Sequence, residues 1–172
     1  MSKVQAEGVN VSVGRIAWVV YLTGILFYCL AYLLRVYTGV LQPGLMSKLN
    51  ITASSFGVLT SFYYFAYAPM QIPVGVCVDK IGPRRSLLAA CFIATLGAFI
   101  FAKANLLSVA LIGRFLIGFG SAFAYVTALK LATLWLPRRY FASATGAVTA
   151  MGMVAAIITD NYLTHAMQYM SF

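Results

Sequence analysis

Five long stretches of this chain carry no charged residue, and this feature limits the possible folds more than any other. The stretches cover residues 16–34, 49–78, 86–102, 115–129 and 140–159. A helix that crosses about 30 Å of membrane hydrocarbon needs roughly 20 predominantly apolar residues. The stretches are continuously apolar, whereas the strands of a membrane β-barrel alternate between apolar and polar positions. The sequence therefore predicts an all-α, multi-pass transmembrane helical bundle.

The composition excludes a soluble monomer. Hydrophobic residues make up 62% of the 172 residues and charged residues only 9%, against about 45–50% and about 25% in average soluble domains. The net charge is +9, from twelve Lys or Arg and three Asp or Glu. Because the basic residues separate apolar runs and form no patch, we expect a lipid bilayer as partner and no nucleic acid.

Loop signals divide the chain into five predicted membrane helices. Residues 42–44 (QPG), residues 50–55, the Gly82-Pro83 pair and Pro137 all mark breaks. The first apolar stretch is too long for the core of a signal peptide, so we interpret it as a helix of the mature protein. The predicted spans cover residues 16–41, 56–78, 85–104, 106–129 and 141–163.

The basic residues predict an orientation. Basic residues favour the cytoplasmic side of a membrane. Two of them, Lys48 and Lys103, lie on one side of the predicted bundle. The larger group lies on the other side and consists of Lys3, Arg15, Lys80, Arg84, Arg85, Arg138 and Arg139, with Lys130 close by. The N-terminus is therefore predicted to be cytoplasmic, in a cell (inner) membrane.

One loop carries a recognisable motif. Residues 75–85 (GVCVDKIGPRR) resemble the signature loop of the major facilitator superfamily, written G-x-x-x-D-(R/K)-x-G-(R/K)-(R/K). A glycine allows close approach of a helix, and a carboxylate at the membrane edge can face an arginine or a helix N-terminus. Pro83 departs from the pattern. The resemblance implies that this loop gates the transporter, through Gly75, Asp79, Lys80, Gly82, Arg84 and Arg85.

Two further stretches are similar to the same family. Residues 114–120 resemble its second motif, an arginine followed by spaced glycines, and residues 134–146 resemble its join between the fourth and fifth helices. Transporters of this family consist of two six-helix bundles with the substrate between them. The resemblance thus implies an N-terminal half with the second half absent. A second bundle, another chain or another copy of this one, is expected as a partner unless the chain is a fragment.

Three residues of the first span share one helical face: Tyr28, Tyr32 and Arg35. A charge within a membrane span commonly faces a cavity or a partner, which makes this face a candidate substrate site. An arginine in this helix, followed eight residues later by Pro43, is similar to the pattern in the first helix of organic phosphate antiporters and organic anion symporters. The resemblance implies that Arg35 binds the anion, as the arginine does in those families. The alternative is that Arg35 only extends to water at the outer interface.

The second span carries a polar stripe of Thr60, Tyr64, Tyr67 and Gln71 at helical spacing. These hydroxyls and the amide suit a substrate cavity, although such a stripe can equally serve helix packing. Pro69 and Pro73 are expected to bend the helix.

The fourth span places Arg114, Gly118, Ser121 and Tyr125 on one face. Arg114 lies deep enough to need a partner, and with Tyr125 it is a candidate for substrate binding. No acidic residue lies within the first four predicted spans. A proton relay is therefore poorly supported, and anion exchange fits better. Lys130 is interpreted as a residue that extends to the membrane surface.

No catalytic pattern appears in the sequence. A Ser-His-Asp set, a phosphate-binding loop and paired carboxylates are missing, His165 has no ligand at metal-binding spacing, and no cofactor is expected. The small residues of the fifth span predict helix packing: Ala142, Gly146 and Ala150, with the neighbouring Gly152, Ala155 and Ala156. The sequence predicts a non-enzymatic transporter of a small solute, an organic anion, that works by alternating access. The alternative is a non-transporting accessory or vestigial subunit that packs against a partner bundle.

Overall fold

The computed structural model describes residues 15–169, with side chains from 17 to 167, as helices joined by short turns. No strand occurs in this range, and the predicted all-α class is confirmed. Lys3 and the side chain of Arg15, both used for the predicted orientation, lie outside the described residues. The helices are α1 (Arg15–Val40), α2 (Gln42–Leu49), α3 (Ala53–Ile81), α4 (Pro83–Lys103), α5 (Leu107–Trp135) and α6 (Phe141–Tyr169), with a 3-10 turn at Arg138–Tyr140 before α6.

The turn between α3 and α4 follows directly from two residues. Gly82 adopts φ +90°, a conformation that favours glycine, and its N–H donates to the Val78 carbonyl at 3.1 Å. Pro83 is the first residue of α4, where a missing N–H costs no helical hydrogen bond. The chain therefore reverses direction within a single residue, as the Gly82-Pro83 pair predicted.

The break predicted at residues 42–44 separates α1 from a further short helix, α2. After α1 ends at Val40, Pro43 lies in the first turn of α2, a position that proline tolerates well. Leu49 is buried, and the Lys48 Nζ donates to the Ala102 carbonyl at 3.2 Å near the end of α4. The connection between α1 and α3 is thus a short helix attached to the bundle.

Four of the described helical segments are long and apolar enough to cross a membrane: Ala17–Val40, Pro83–Lys103, Leu107–Trp135 and Arg138–Met167. The α3 helix has 29 residues, contains several tyrosines, two prolines and a glutamine, and is not among these four segments. It continues through Pro69 and Pro73. Five membrane crossings therefore stay a prediction.

The α5 helix lies at the centre of the bundle and contacts α1, α3 and α4. Glycines bring the helix backbones together. A Cβ atom at Gly120 would lie 2.6 Å from the Ala90 carbonyl oxygen of α4, and one at Gly118 would collide with the Tyr63 carbonyl oxygen of α3. Small residues at such contacts are typical of helix packing in membranes. The α3, α4 and α5 backbones are therefore in direct contact.

The α6 helix packs against α1. Ala144, Val148 and Gly152 are buried, and the Tyr21 hydroxyl donates to the Ala144 carbonyl at 2.7 Å. Of the predicted small residues, Gly152 packs against the Tyr28 and Tyr32 rings of α1, whereas Ala142, Gly146 and Ala150 are exposed. The small residues of the fifth span therefore take part in packing only where they face α1.

Candidate functional site

The Arg35 side chain points from α1 into a group of tyrosine rings. Its Nε donates to the Tyr64 hydroxyl at 3.1 Å. Its guanidinium carbon lies 5.0 Å from the ring centroid of Tyr64 and 5.7 Å from those of Tyr67 and Tyr32. These distances are within the range of cation–π attraction. Among the residues that the structure describes, no carboxylate forms an ion pair with Arg35.

The tyrosine rings form two connected groups. Tyr28 contacts Tyr32 edge-on at 5.0 Å between centroids and Tyr125 at 5.5 Å. Tyr63 stacks on Tyr67 at 5.7 Å with an interplanar angle of 14°. Aromatic pairs with this geometry stabilise the packing of the rings by more than the burial of their surface area alone. The predicted residues Tyr28, Tyr32 and Tyr67 therefore lie close to Arg35, whereas Tyr125 contacts Tyr28.

A small cavity lies between α1, α3 and α5, and we call it the Arg35 cavity. About 10 Å³ of it is open to the centre of a water molecule, which is roughly the room that one water needs. Its lining combines one guanidinium, four phenols and one hydroxyl: Tyr28, Ala31, Tyr32, Arg35, Tyr63, Tyr67 and Ser121.

Arg114 lies outside this lining, inside the bundle. Its side chain is 1% exposed, and its Nη1 donates to the Leu34 carbonyl at 2.9 Å. The guanidinium carbon lies 5.0 Å from the Tyr63 ring and 6.0 Å from the Tyr37 ring. Its Nε has no protein partner among the described residues. The sequence analysis expected Arg114 to need a partner because of its depth in the membrane span. That partner is the main-chain carbonyl of Leu34, the residue before Arg35.

Two of the predicted α3 residues differ in their placement. Tyr64 is exposed on the bundle surface yet accepts the hydrogen bond from Arg35. Gln71 does not line the Arg35 cavity, and its buried Nε2 has no protein partner in the described part of the chain. Tyr63, which the sequence analysis missed, contacts Arg114 and lines the cavity. Tyr63 is four residues before Tyr67 and therefore lies on the same side of the helix. A polar stripe that used position 63 in place of position 64 would have included it.

The signature loop contains an ion pair between helices. The Lys130 Nζ of α5 lies 2.7 Å from the Asp79 Oδ1 of α3. Lys130, interpreted as a residue that extends to the membrane surface, therefore also forms an ion pair near the end of α5. Because the side chains are 36% and 63% exposed, the pair contributes little to stability. It shows that α3 and α5 end on the same side, which we call the Asp79 end.

Other loop residues show one confirmation and one correction. Gly82 makes the predicted turn. A Cβ atom at Gly75 would meet nothing within 4 Å, so no described helix makes the close approach predicted there. Lys80, Arg84 and Arg85 are exposed. The two arginines line a crevice of about 610 Å³ that also includes Trp135.

The sequence model of the Major Facilitator Superfamily matches residues 22–164. The chain belongs to this superfamily. The resemblance drawn from residues 75–85 is thereby confirmed, and the chain is an integral, multi-pass membrane protein. Membership also agrees with the prediction that the chain is not an enzyme.

Several relatives match the greater part of the chain. It is 29% identical to the probable sulfoacetate transporter SauU of Cupriavidus necator over 134 residues, 78% of the chain and 31% of the relative. The uncharacterized transporter YybO of Bacillus subtilis is 34% identical over 130 residues, 72% of the chain and 28% of the relative. The probable anion transporter 5 of Arabidopsis thaliana is 27% identical over 126 residues, 69% of the chain and 28% of the relative. The chain spans less than a third of the length of each.

Proposed function

We propose that this chain is part of a secondary transporter that moves a small organic anion across the membrane by alternating access. The observation that carries the proposal is the Arg35 guanidinium, which lines a cavity between three helices and has tyrosines as its contacts. A guanidinium presents a planar fork of donors that matches carboxylate, sulfonate or phosphate groups. A ligand anion would supply the negative charge that Arg35 lacks among the described residues.

The relatives support an anion as the solute class. One is named as a transporter of sulfoacetate and another as an anion transporter. The candidate substrate residues are those predicted from the sequence, with Arg35 as the anion-binding group and Tyr28, Tyr32, Tyr64 and Tyr67 around it. Arg114, Gln71 and Tyr125 remain candidate residues of the site in this proposal, although they do not line the Arg35 cavity.

The size of the Arg35 cavity favours a change of conformation during transport. A space for about one water molecule admits a single ligand atom and excludes an entire organic anion. The helices around it must therefore separate to admit the solute. The residues predicted to gate this motion are Gly75, Asp79, Lys80, Gly82, Arg84 and Arg85.

We further propose that a second bundle, from another chain or a second copy, completes the transporter. The relatives are more than three times as long as the matched segment, and a substrate held between two bundles needs both. Basic residues gather at the Asp79 end, where Lys80, Arg84 and Arg85 lie beside the α3–α4 turn. By the positive-inside rule this end faces the cytoplasm of a cell (inner) membrane, which places the N-terminus there as well.

The experiment combines anion binding with counterflow. The chain is purified together with any second bundle that associates with it and is reconstituted in lipid nanodiscs to measure binding of radiolabelled sulfoacetate, and in liposomes to measure sulfoacetate counterflow. Wild type is compared with Arg35→Ala and Arg35→Lys. Arg139→Ala is the matched control, because Arg139 also lies over an aromatic ring, at 4.7 Å from Tyr140, but at the α5–α6 connection.

We expect Arg35→Ala to abolish binding and counterflow, Arg35→Lys to weaken them, and Arg139→Ala to leave them unchanged. Equal binding by wild type and Arg35→Ala would refute the anion site. Wild-type protein that binds sulfoacetate and phosphate no better than empty nanodiscs would refute the transport proposal. That result would favour a non-transporting accessory subunit.

A further inference from the structure

Ser121 of α5 is a buried hydroxyl without a protein hydrogen bond. Its side chain is 2% exposed, and its Oγ makes no hydrogen bond in the part of the chain that the structure describes, although the Tyr63 hydroxyl lies close to it. Ser121 is nevertheless one of the residues that line the Arg35 cavity. A buried polar group without a partner is destabilising, and such groups are rare in folded proteins.

Several other hydroxyls in the helices are satisfied locally. Those of Thr23, Thr133, Thr145, Thr149 and Thr159 each donate to a main-chain carbonyl three or four residues earlier, at 2.6–3.1 Å. This is the usual arrangement of a helical serine or threonine in a membrane. Ser121 does not use it, and its hydroxyl remains available to a group in the cavity.

The volume and the lining of the cavity limit the size and the charge of the group that can bind there. It has room for about one oxygen atom. The Arg35 guanidinium can only donate hydrogen bonds, whereas the Ser121 hydroxyl can donate or accept. Because Arg35 is positively charged and has no ion pair among the described residues, an oxygen in contact with both is bound more strongly if it carries negative charge, as in a carboxylate, sulfonate or phosphate group.

We propose that the Ser121 hydroxyl donates a second hydrogen bond to the acidic group that Arg35 binds. This inference rests on the proposed function and extends it to a specific atom. One oxygen of the acidic group enters the Arg35 cavity between Arg35 and Ser121, and the remainder of the solute stays outside it. Ser121 is in this way a binding residue contributed by α5, whereas Arg35 is contributed by α1.

The test compares Ser121→Ala with a matched buried hydroxyl. Thr127 is also on α5, is fully buried and has no protein partner for its hydroxyl among the described residues, but it does not line the cavity. The Kd for sulfoacetate is measured in nanodiscs for wild type, Ser121→Ala, Ser121→Cys, Thr127→Ala and Arg35→Ala. Thermal unfolding of each variant without ligand reports on folding.

We expect Ser121→Ala to raise the Kd about tenfold, the usual effect of one hydrogen bond to a charged group. Ser121→Cys, with a weak donor of similar size, should give an intermediate value. Thr127→Ala should keep the wild-type Kd. Uncharged glycerol, used as a probe without an acidic group, should show no difference between wild type and Ser121→Ala.

The outcomes separate this inference from the proposed function. If Arg35→Ala abolishes binding while Ser121→Ala binds like wild type, the anion site stands and the role of Ser121 is refuted. If Ser121→Ala and Thr127→Ala weaken binding equally, the effect is structural and the inference is again refuted. If wild type does not bind the anion, the proposed function fails and this inference fails with it.

Discussion

Arg35 and Arg114 are both inside the bundle and both surrounded by tyrosines, yet their environments differ. Arg114 is 1% exposed and donates to a main-chain carbonyl, that of Leu34. Arg35 is half-buried, donates to the Tyr64 hydroxyl and lines a cavity. The comparison shows that depth alone does not identify a ligand-binding charge. The accessible space beside the guanidinium and the kind of partner it has are more informative.

The helices that carry the two arginines explain this difference. Arg114 belongs to α5, which is packed on several sides, so its guanidinium can reach only neighbouring backbone and rings. Arg35 belongs to α1, where the Arg35 cavity separates it from α5. A buried charge next to fixed main-chain dipoles stabilises one geometry. A charge beside open space can instead bind an additional group.

The largest expected effect on stability is that of Arg114→Ala. Removing this buried side chain leaves a cavity and breaks the hydrogen bond to Leu34. We expect the free energy of unfolding to fall by about 2–5 kcal/mol, measured by thermal or denaturant unfolding in detergent. Arg114→Met fills more of the space and should cost less. An Arg114→Ala protein as stable as wild type would show that Arg114 is not a structural residue, and the contrast with Arg35 would then not hold.

The next effect concerns Gly118, one turn after Arg114. Gly118→Ala places a methyl group against the Tyr63 carbonyl, and this overpacking should cost about 1–3 kcal/mol. Gly146→Ala in α6 is the control, because nothing lies within 4 Å of the added atom. In an exposed helical position it should stabilise by about 0.5–1 kcal/mol. Equal unfolding temperatures for the two variants would contradict the contact.

Arg35→Ala should have a smaller effect on stability than either change above. It removes one hydrogen bond from a half-buried side chain, so the free energy of unfolding should change by about 1 kcal/mol. Unfolding measured beside Arg114→Ala tests this directly. If the two arginine variants were equally unstable, Arg35 would be a structural residue like Arg114.

The smallest effect is expected at the Asp79 end. Asp79→Asn or Lys130→Met breaks an exposed ion pair, which should cost between about 0 and 1 kcal/mol. The difference between wild type and either variant should decrease further at high salt, since salt screens exposed charges. A loss comparable to that of Arg114→Ala would show that this pair holds α3 and α5 together.

The sequence predicted those parts of the fold that depend on local properties. Continuous apolar runs predicted long helices, and the Gly82-Pro83 pair predicted a turn, because these signals act within a few residues. The short helix after the break at residues 42–44 was not predicted, since proline is a signal for the end of one helix and Pro43 is also compatible with the first turn of the next.

Contacts between helices were harder to predict. The face of α6 that packs, the partner of Asp79 and the role of Tyr63 all depend on how each helix is rotated about its axis. A single sequence gives the period of a helix but not this rotation. Arg35 and its tyrosines were found because they are rare polar residues within membrane spans, so their environment is constrained wherever the helix faces.

The contact between Gly118 and the Tyr63 carbonyl limits how the bundle can move. Backbones that touch without intervening side chains cannot slide past each other without a collision, so α3 and α5 should travel as a single body. Widening the space beside Arg35 then requires α1 to move relative to this pair of helices. That movement would also have to open the close approach of Gly24 to Ala128 and the hydrogen bond from Arg114 to the Leu34 carbonyl.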